Sequence, residues 1–162
     1  MEESTPNSLL WIDDDAPGRF RYEHQMLTQR GWQITWAKCA EEAADLLRRE
    51  VFRAIILDQM FPWSKQSPGT DTDEVWAGCF LLFWLRDKGR PSKAPPREPF
   101  DSLFTETKAP LPSNRTIPVV LSSAYFDEDI SASIFDIEPH IPELPKPIDL
   151  ERLLELFSQF VS

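Results

Sequence analysis

The sequence predicts an α/β domain in which helices cover both faces of a parallel β-sheet. Short apolar runs without polar alternation recur along the chain, as expected of strands that are buried on both faces. Segments with helical periodicity separate these runs, so strands and helices alternate. The 162 residues, of which 41% are hydrophobic, suffice for one domain with its own core.

The first half of the chain carries three strand signals and two helix signals. The first and third apolar runs both end in carboxylates, at Asp13 and at Asp58. Gly31 follows the first helical segment and is predicted to end it, because glycine is common just after a helix. In chain order the expected elements are a strand at 8–13, a helix at 16–30, a strand at 32–36, a helix at 40–49 and a strand at 52–57.

The second half continues the same alternation with two strands and three helices. Pro142 lies inside the last predicted strand and confines that strand to an edge of the sheet, since proline has no N–H to donate. The final helix is amphipathic, with its leucines on one stripe. In chain order the expected elements are a helix at 73–88, a strand at 117–122, a helix at 127–135, a strand at 140–144 and a helix at 148–161.

Two irregular excursions, at about 63–72 and 90–116, interrupt this rhythm. The helix at 73–88, which lies between them, is apolar around most of its circumference and must therefore be covered. We expect the second excursion to fold back over it, with Phe100, Leu103 and Phe104 as anchors. The alternative is that this helix forms a self-association or partner surface, which would make a homodimer possible.

Composition and charge exclude several classes of function. The formal net charge is −10, which is the wrong sign for binding nucleic acid. The polar N-terminus is no signal peptide, and the longest apolar stretch, at 75–85, is too short to span a membrane. We therefore expect a cytoplasmic protein with no membrane or nucleic-acid partner. Cys39 and Cys79 match no zinc motif and are expected to be reduced core thiols.

Residues that can carry chemistry follow the predicted strands. They are Asp13, Asp14, Asp58, Ser123 and Lys146. Parallel sheets place their sites at the carboxyl ends of the strands, so these side chains should converge. Converging carboxylates repel one another unless a cation joins them, and an all-oxygen set suits Mg²⁺. One carboxylate could then attack phosphorus, while an ammonium neutralises the phosphoryl oxygens and a hydroxyl donates a hydrogen bond.

Simpler interpretations of the same residues stay open. The acidic run at 13–15 could be a solvated helix N-terminus, since aspartate favours such positions. Lys146 alone would be an ordinary surface lysine. Ser122 neighbours Ser123 and competes with it as the reactive hydroxyl, although the interval from Pro118 favours Ser123.

Four motifs together resemble the receiver domain of response regulators, the phosphoacceptor module of two-component signal transduction. They are WIDDD at 11–15, LDQMFP at 57–62, PVVLSSA at 118–124 and KP at 146–147. Their order and spacing resemble those of single-domain receivers of the chemotaxis-regulator type. The resemblance implies one receiver domain over 1–162, with a flavodoxin-like doubly wound five-stranded parallel sheet in the order 2-1-3-4-5.

The resemblance also implies the metal site and the phosphorylated residue. Asp58 would be phosphorylated. Asp13, Asp14 and Asp58, with the backbone carbonyl of Met60, would hold Mg²⁺. No other cofactor is implied.

The remaining roles fall on Ser123, as the switch hydroxyl, and on Lys146, as the partner of the phosphoryl group. The peptide between Lys146 and Pro147 would be cis. Glu143 departs from the family pattern, because an aromatic switch residue is usual at that position. The interval between Asp58 and Ser123 is also longer than usual.

The function implied is a phosphoprotein in a phosphorelay, with a histidine kinase or a histidine phosphotransfer protein as donor and an unknown output protein as partner. Such a protein catalyses its own phosphorylation and dephosphorylation but is not a turnover enzyme. A pseudo-receiver, a scaffold that acts without phosphorylation, is the alternative that Glu143 and the excursions favour. An aspartate-nucleophile hydrolase would need a general-acid aspartate where Met60 stands.

Overall fold

Four parallel strands form one sheet in the order β2-β1-β3-β4. The computed structural model describes residues 7–65, 75–96, 98–105, 108–124 and 127–161. Within these ranges the strands are β1 (Asn7–Ile12), β2 (Trp32–Ala37), β3 (Ala54–Leu57) and β4 (Val119–Leu121). The predicted α/β class with a parallel sheet is confirmed.

Five α-helices lie between and after the strands in the described part of the chain. Gly31, at φ 92°, follows the first helix in the left-handed conformation that glycine adopts without strain. Aspartate side chains cap the last two helices, since Asp127 and Asp149 each accept hydrogen bonds from two backbone N–H groups of the first turn. The helices are α1 (Arg21–Gln29), α2 (Ala40–Arg49), α3 (Ala77–Leu85), α4 (Glu128–Ile137) and α5 (Leu150–Ser158).

Alternate residues of each strand pack against different helices. Leu10 and Ile12 of β1 contribute to a core shared with α2, α3 and α4. Leu9 and Trp11 contribute to a second core on the opposite face, shared with α1 and α5. Successive side chains of a strand point to opposite faces, so a strand that is covered on both sides needs apolar residues at every position. This arrangement explains the apolar runs without alternation.

The prediction of a fifth strand at 140–144 is wrong. The segment lies beside β4 but forms only a single bridge, between Leu121 and Glu143. Two backbone hydrogen bonds join it to β4, from Leu121 N–H to Pro142 O at 2.9 Å and from Leu144 N–H to Leu121 O at 2.8 Å. Pro142 has no N–H with which to extend the ladder, so the pairing stops there. The sheet therefore has four strands rather than five.

Several other elements are shorter than predicted. Residues 18–20 form a 3₁₀ helix before α1, so the α-helix does not extend back to residue 16. β3 begins at Ala54, because the Phe52 N–H donates to the Asn114 side chain instead of to a strand. α3 covers only part of the helix predicted at 73–88, and residues 73–74 lie outside the described part of the chain.

The second excursion folds back over α3, as predicted. All nine residues of α3 are buried. Phe100 and Leu103, from a 3₁₀ helix at Phe100–Phe104, are buried against this core, and the Phe80 ring lies 5.9 Å from the rings of both Phe100 and Phe104. In the first excursion Trp63 contacts Phe100 edge-on at 5.5 Å, whereas residues 66–72 lie outside the described part of the chain.

The second excursion begins and ends at the same edge of the domain, near the end of α3. The Arg86 guanidinium donates to Arg115 O and Ile117 O, each at 2.7 Å, and pairs with Glu138 at the end of α4. Buried Asn114 donates to Leu47 O at 2.9 Å and accepts from Phe52 N–H at 3.0 Å. These contacts fix the return of the chain into β4.

Both cysteines are buried as free thiols, as predicted. Burial raises the pKa of the Cys79 thiol to about 12. Among the described residues no helix has the length and hydropathy needed to cross a membrane.

Candidate functional site

The carboxyl ends of the strands bring the predicted residues to one edge of the sheet. Backbone hydrogen bonds join neighbouring strand ends, from Asp58 N–H to Ile12 O at 3.0 Å and from Ser122 N–H to Leu57 O at 2.8 Å. The Lys146 N–H donates to Ser123 O at 3.1 Å, so the segment after the fourth helix joins the same edge. Asp13, Asp58 and Ser123 therefore meet because the strands are parallel, and Lys146 joins them through this backbone hydrogen bond.

The Lys146 ammonium bridges two buried carboxylates. Its Nζ lies 2.6 Å from Asp13 Oδ2 and 3.1 Å from Asp58 Oδ2. The other oxygen of each carboxylate accepts a backbone N–H, from Asp15 to Asp13 Oδ1 at 2.9 Å and from Gln59 to Asp58 Oδ1 at 2.8 Å. Both carboxylates are thus held in fixed orientations by groups on both sides.

Asp14 completes an acidic cluster suited to a divalent cation. One carboxylate oxygen from each of Asp13, Asp14 and Asp58 lies within 4.8 Å of the others. Opposite ligands of an octahedral Mg²⁺ are about 4.2 Å apart, so small side-chain rotations would bring these oxygens into range. The all-oxygen donor set fits Mg²⁺.

Burial and the excess of negative charge shift the ionisation of the site. Burial and the neighbouring Asp13 charge raise the pKa of Asp58 to about 7, although Lys146 opposes this rise. Burial and the charges of Asp15 and Asp13 raise the pKa of Asp14. For Lys146, burial lowers the pKa, but hydrogen bonding to Asp13 and the two carboxylate charges outweigh it, so the pKa is raised. Three carboxylates face one ammonium, and a dication would relieve this imbalance.

The other residues singled out in the sequence lie around this cluster. Ser123 and Ser122 are both buried, and the Ser122 hydroxyl has no hydrogen-bond partner among the described residues. Met60 is half-buried, two residues after Asp58. The Lys146–Pro147 peptide is cis, as the resemblance implies. Half-buried Glu143 lies beside β4, and its carbonyl accepts from Arg152 Nε at 3.4 Å.

Three residues near the site were missed by the sequence reasoning. The Lys146 ammonium lies 5.7 Å from the centre of the buried Phe20 ring, a cation–π contact. Gly78 donates its N–H to Gln59 O at 3.0 Å, and a Cβ at Gly78 would lie only 2.3 Å from Asp58 O. The side-chain amide of Gln59 is buried without a hydrogen-bond partner among the described residues. The one available signal was Gly78, a glycine inside a strongly apolar helix.

Solved structures with a similar fold include response regulators and their receiver domains. A CheY-like response regulator receiver domain protein from Methanospirillum hungatei is 17% identical, with 96% of this chain and 93% of that chain covered and a TM-score of 0.61. A putative response regulator from Chloroflexus aurantiacus is 22% identical, covers 96% of this chain and 98% of that one, and has a TM-score of 0.61. The HemR receiver domain from Leptospira biflexa is 20% identical, with 98% and 95% covered and a TM-score of 0.60.

The chain has the fold of a response-regulator receiver domain. No protein-family model matches the sequence, and no curated protein matches it either. In this receiver fold both excursions lengthen the connections on either side of α3. Neither of them separates the strand ends that carry the acidic cluster.

Proposed function

We propose that this protein accepts a phosphoryl group on Asp58 and signals through a phosphorylation-dependent protein–protein interaction. One observation carries the proposal: the Lys146 ammonium bridges Asp13 and Asp58, which come from two different strand ends. An isolated acidic helix N-terminus would explain Asp13 and Asp14 but not a half-buried lysine whose ammonium contacts Asp58. The receiver fold and the four motifs support the same conclusion.

Mg²⁺ is the cofactor that we propose, held by Asp13, Asp14 and Asp58 with the backbone carbonyl of Met60. When bound, the ion would neutralise charge on the phosphoryl oxygens and on the carboxylates. The protein's own residues supply the rest of the chemistry. The N–H of Gln59 fixes one oxygen of the Asp58 carboxylate and leaves the other on the side of Lys146.

In the reaction an Asp58 carboxylate oxygen attacks phosphorus, and an O–P bond forms while the bond from phosphorus to the leaving atom breaks. The leaving atom departs with the electron pair. With acetyl phosphate the leaving group is acetate, so no proton has to move. Lys146 then exchanges its hydrogen bond to Asp58 Oδ2 for one to a phosphoryl oxygen, and the Ser123 hydroxyl donates to another.

The partners that we propose are a histidine kinase or a histidine phosphotransfer protein as donor and an output protein that binds the phosphorylated form. The net charge of −10 disfavours nucleic acid as the output. We place the protein in the cytoplasm. It would catalyse its own phosphorylation and dephosphorylation without being a turnover enzyme.

The test is the intact mass of the protein after incubation with Mg²⁺ and either acetyl phosphate or phosphoramidate. We expect one phosphoryl adduct that requires Mg²⁺ and is absent from Asp58→Asn. Circular dichroism of the variant would establish that it is folded. An adduct on a folded Asp58→Asn protein would move the phosphoacceptor elsewhere.

A pseudo-receiver is the second candidate, and half-buried Glu143 is the observation that favours it. A carboxylate at this position cannot enter an apolar pocket at low cost, so the usual aromatic switch is missing. The same mass measurement separates the two candidates. A folded protein that forms no adduct with either donor would support the scaffold and contradict phosphotransfer.

A further inference from the structure

The Lys146 ammonium has a third contact besides the two carboxylates. Its Nζ atom lies 5.7 Å from the centre of the Phe20 ring, within the range of a cation–π contact. Only 13% of the Lys146 side chain is exposed, so little water competes with the ring for the ammonium. Cation–π attraction is strongest where the cation has lost its water, so this contact helps to hold the side chain.

The Phe20 ring is itself held in place by the core. Phe20 is buried and ends the 3₁₀ helix at Gly18–Phe20. Its ring centre lies 4.7 Å from that of fully buried Trp11 on β1, and 6.4 Å from that of Trp36 on β2, with which it is stacked. A ring supported by two strands cannot turn away at low cost, so it presents a fixed surface to Lys146.

The two carboxylates that contact Lys146 do not suffice to hold it when the site is in use. Asp13 and Asp58 are also two of the proposed Mg²⁺ ligands, so the ion and the ammonium compete for the same carboxylates. A dication also repels a neighbouring ammonium. The Phe20 ring has no formal charge and is no metal ligand, so its attraction to Lys146 does not depend on these carboxylates.

An alternative position is open to the Lys146 side chain. Phe20 and Lys146 both line a cleft of about 310 Å³, between the 3₁₀ helix and α1 on one side and the loop that leads into α5 on the other. A lysine that turns into such a cleft regains hydration of its ammonium and the rotational freedom of its long stem. The ring beside the ammonium opposes this rotation.

We propose that Phe20 is a positioning residue that keeps the Lys146 ammonium in the site when a cation occupies the acidic cluster. Phe20 acts through Lys146 and does not itself touch the phosphoryl group. The part of the inference that concerns catalysis rests on the proposed phosphoryl transfer to Asp58. The retention of Lys146 does not rest on it and is measured without a phosphodonor.

The first measurement follows the exposure of Lys146 to an amine-reactive reagent, in Mg²⁺ and in EDTA. Peptide mass spectrometry gives the labelling rate of Lys146 relative to that of exposed Lys93. We expect Phe20→Leu, which keeps apolar bulk but removes the ring, to raise this relative rate about tenfold in Mg²⁺, the size of one desolvated cation–π contact. The increase should be smaller in EDTA, where Asp13 and Asp58 still hold the ammonium.

Ring fluorination separates this role from a merely structural one. A fluorinated phenylalanine at position 20 keeps the bulk and apolar character of the ring but weakens the negative face that attracts the ammonium. It should also raise the labelling of Lys146, whereas a packing role would leave the labelling unaltered. Phe157 is the matched control, because it is buried in the same core but packs edge-on against Trp32 at 5.1 Å. Phe157→Leu and fluorination at position 157 should leave the relative rate unaltered.

The second measurement is the rate of Mg²⁺-dependent phosphorylation by acetyl phosphate, corrected for the folded fraction. Phe20→Leu should slow it about fivefold, because the ammonium is in place for less of the time, and Phe157→Leu should not. An unaltered rate despite faster labelling would overturn the role of the contact in phosphoryl transfer.

Two outcomes of the labelling would overturn the inference. One is equal labelling of Lys146 in Phe20→Leu and in the unsubstituted protein, and the other is an equal increase in Phe157→Leu. An unsubstituted protein that forms no phosphoryl adduct would contradict the proposed function, whereas the labelling would still decide whether Phe20 holds Lys146.

Discussion

At the scale of single residues, the site holds more negative charge than its own cation neutralises. Asp13 and Asp58 are buried, Asp14 is close to both, and Lys146 is the ammonium that contacts the two buried carboxylates. Burial removes water that would otherwise stabilise the charges. The metal-free protein therefore carries a strained electrostatic arrangement at Asp58, and proton uptake or cation binding relieves it.

Replacing Asp58 by asparagine is expected to stabilise the metal-free protein at pH 8. The pKa of Asp58 is about 7 in the fold and near 3.8 when exposed, so the folded state binds more protons between these values. The free energy of unfolding consequently falls as pH rises from about 4 to about 7. Each pKa unit corresponds to about 1.4 kcal/mol, and partial relaxation around the charge leaves an expected gain of about 2 kcal/mol for Asp58→Asn.

Urea unfolding in EDTA at pH 8 and at pH 5 measures this gain. The advantage of Asp58→Asn should shrink at the lower pH, where the native carboxyl is protonated. Asp136→Asn, on an exposed aspartate of α4, is the matched control and should show no such trend. A variant no more stable than the unsubstituted protein at pH 8 would contradict the expected destabilisation by the charged Asp58 carboxylate.

At the scale of elements, the first turn of α3 packs directly on the backbone that carries Asp58. Gly78 makes this approach possible, because a Cβ there would lie 2.3 Å from Asp58 O and 3.0 Å from Gln59 Cα. Both of these contacts are backbone atoms, which cannot move aside as the end of a flexible side chain can. The position of α3 and the position of Asp58 are therefore set together.

Gly78→Ala is expected to lower the free energy of unfolding by about 2 kcal/mol, a typical effect of overpacking. It should also slow phosphorylation of Asp58, because the backbone that carries the carboxylate must shift. Thermal unfolding and the rate of adduct formation measure the two effects. Gly89→Ala is the control, since a Cβ at Gly89 meets nothing within 4 Å and should change stability by less than about 0.5 kcal/mol. Equal behaviour of the two variants would contradict the close contact.

The elements that sequence could predict are those with a local signal. Parallel topology alone brings Asp13, Asp58 and Ser123 together, so this part of the site follows once the strands are recognised. The strand at 140–144 was predicted wrongly, because Pro142 was expected only to confine it to an edge, whereas its missing N–H leaves a single bridge to β4. Phe20 was missed because its place at the site depends on how the 3₁₀ helix before α1 packs against the sheet, which is a tertiary property.

At the scale of the whole molecule, the second excursion completes the core on one face of the sheet. α3 is buried on all sides, between the sheet and the rings of the excursion. Phe100 connects three parts of the chain, because its ring contacts Phe80 of α3 and Trp63 of the loop after β3. The apolar surface of α3 is thus covered within the chain, without a second copy.

Phe100→Ala is expected to cost about 3–4 kcal/mol of stability, since it removes a fully buried ring and leaves a cavity. The fluorescence of Trp63 should change, while phosphorylation of the folded protein should persist because Phe100 does not touch the acidic cluster. Urea unfolding, monitored by tryptophan fluorescence, measures the expected loss of stability and the expected change in the signal. Tyr22→Ala removes an aromatic ring that is 77% exposed and serves as the control. A Phe100→Ala protein as stable as Tyr22→Ala would contradict the covering role.

The excursion leaves the domain and returns to it at nearly one point, where Arg86 binds the carbonyls of Arg115 and Ile117 and where Arg115 pairs with Asp87 at 3.2 Å. An insertion whose two ends are already adjacent can grow or shrink without moving the framework that it leaves. Doubling such a loop adds only about 0.6 kcal/mol of closure entropy. This junction is therefore a place where evolution or an engineer can exchange one surface for another, provided that the replacement still covers α3.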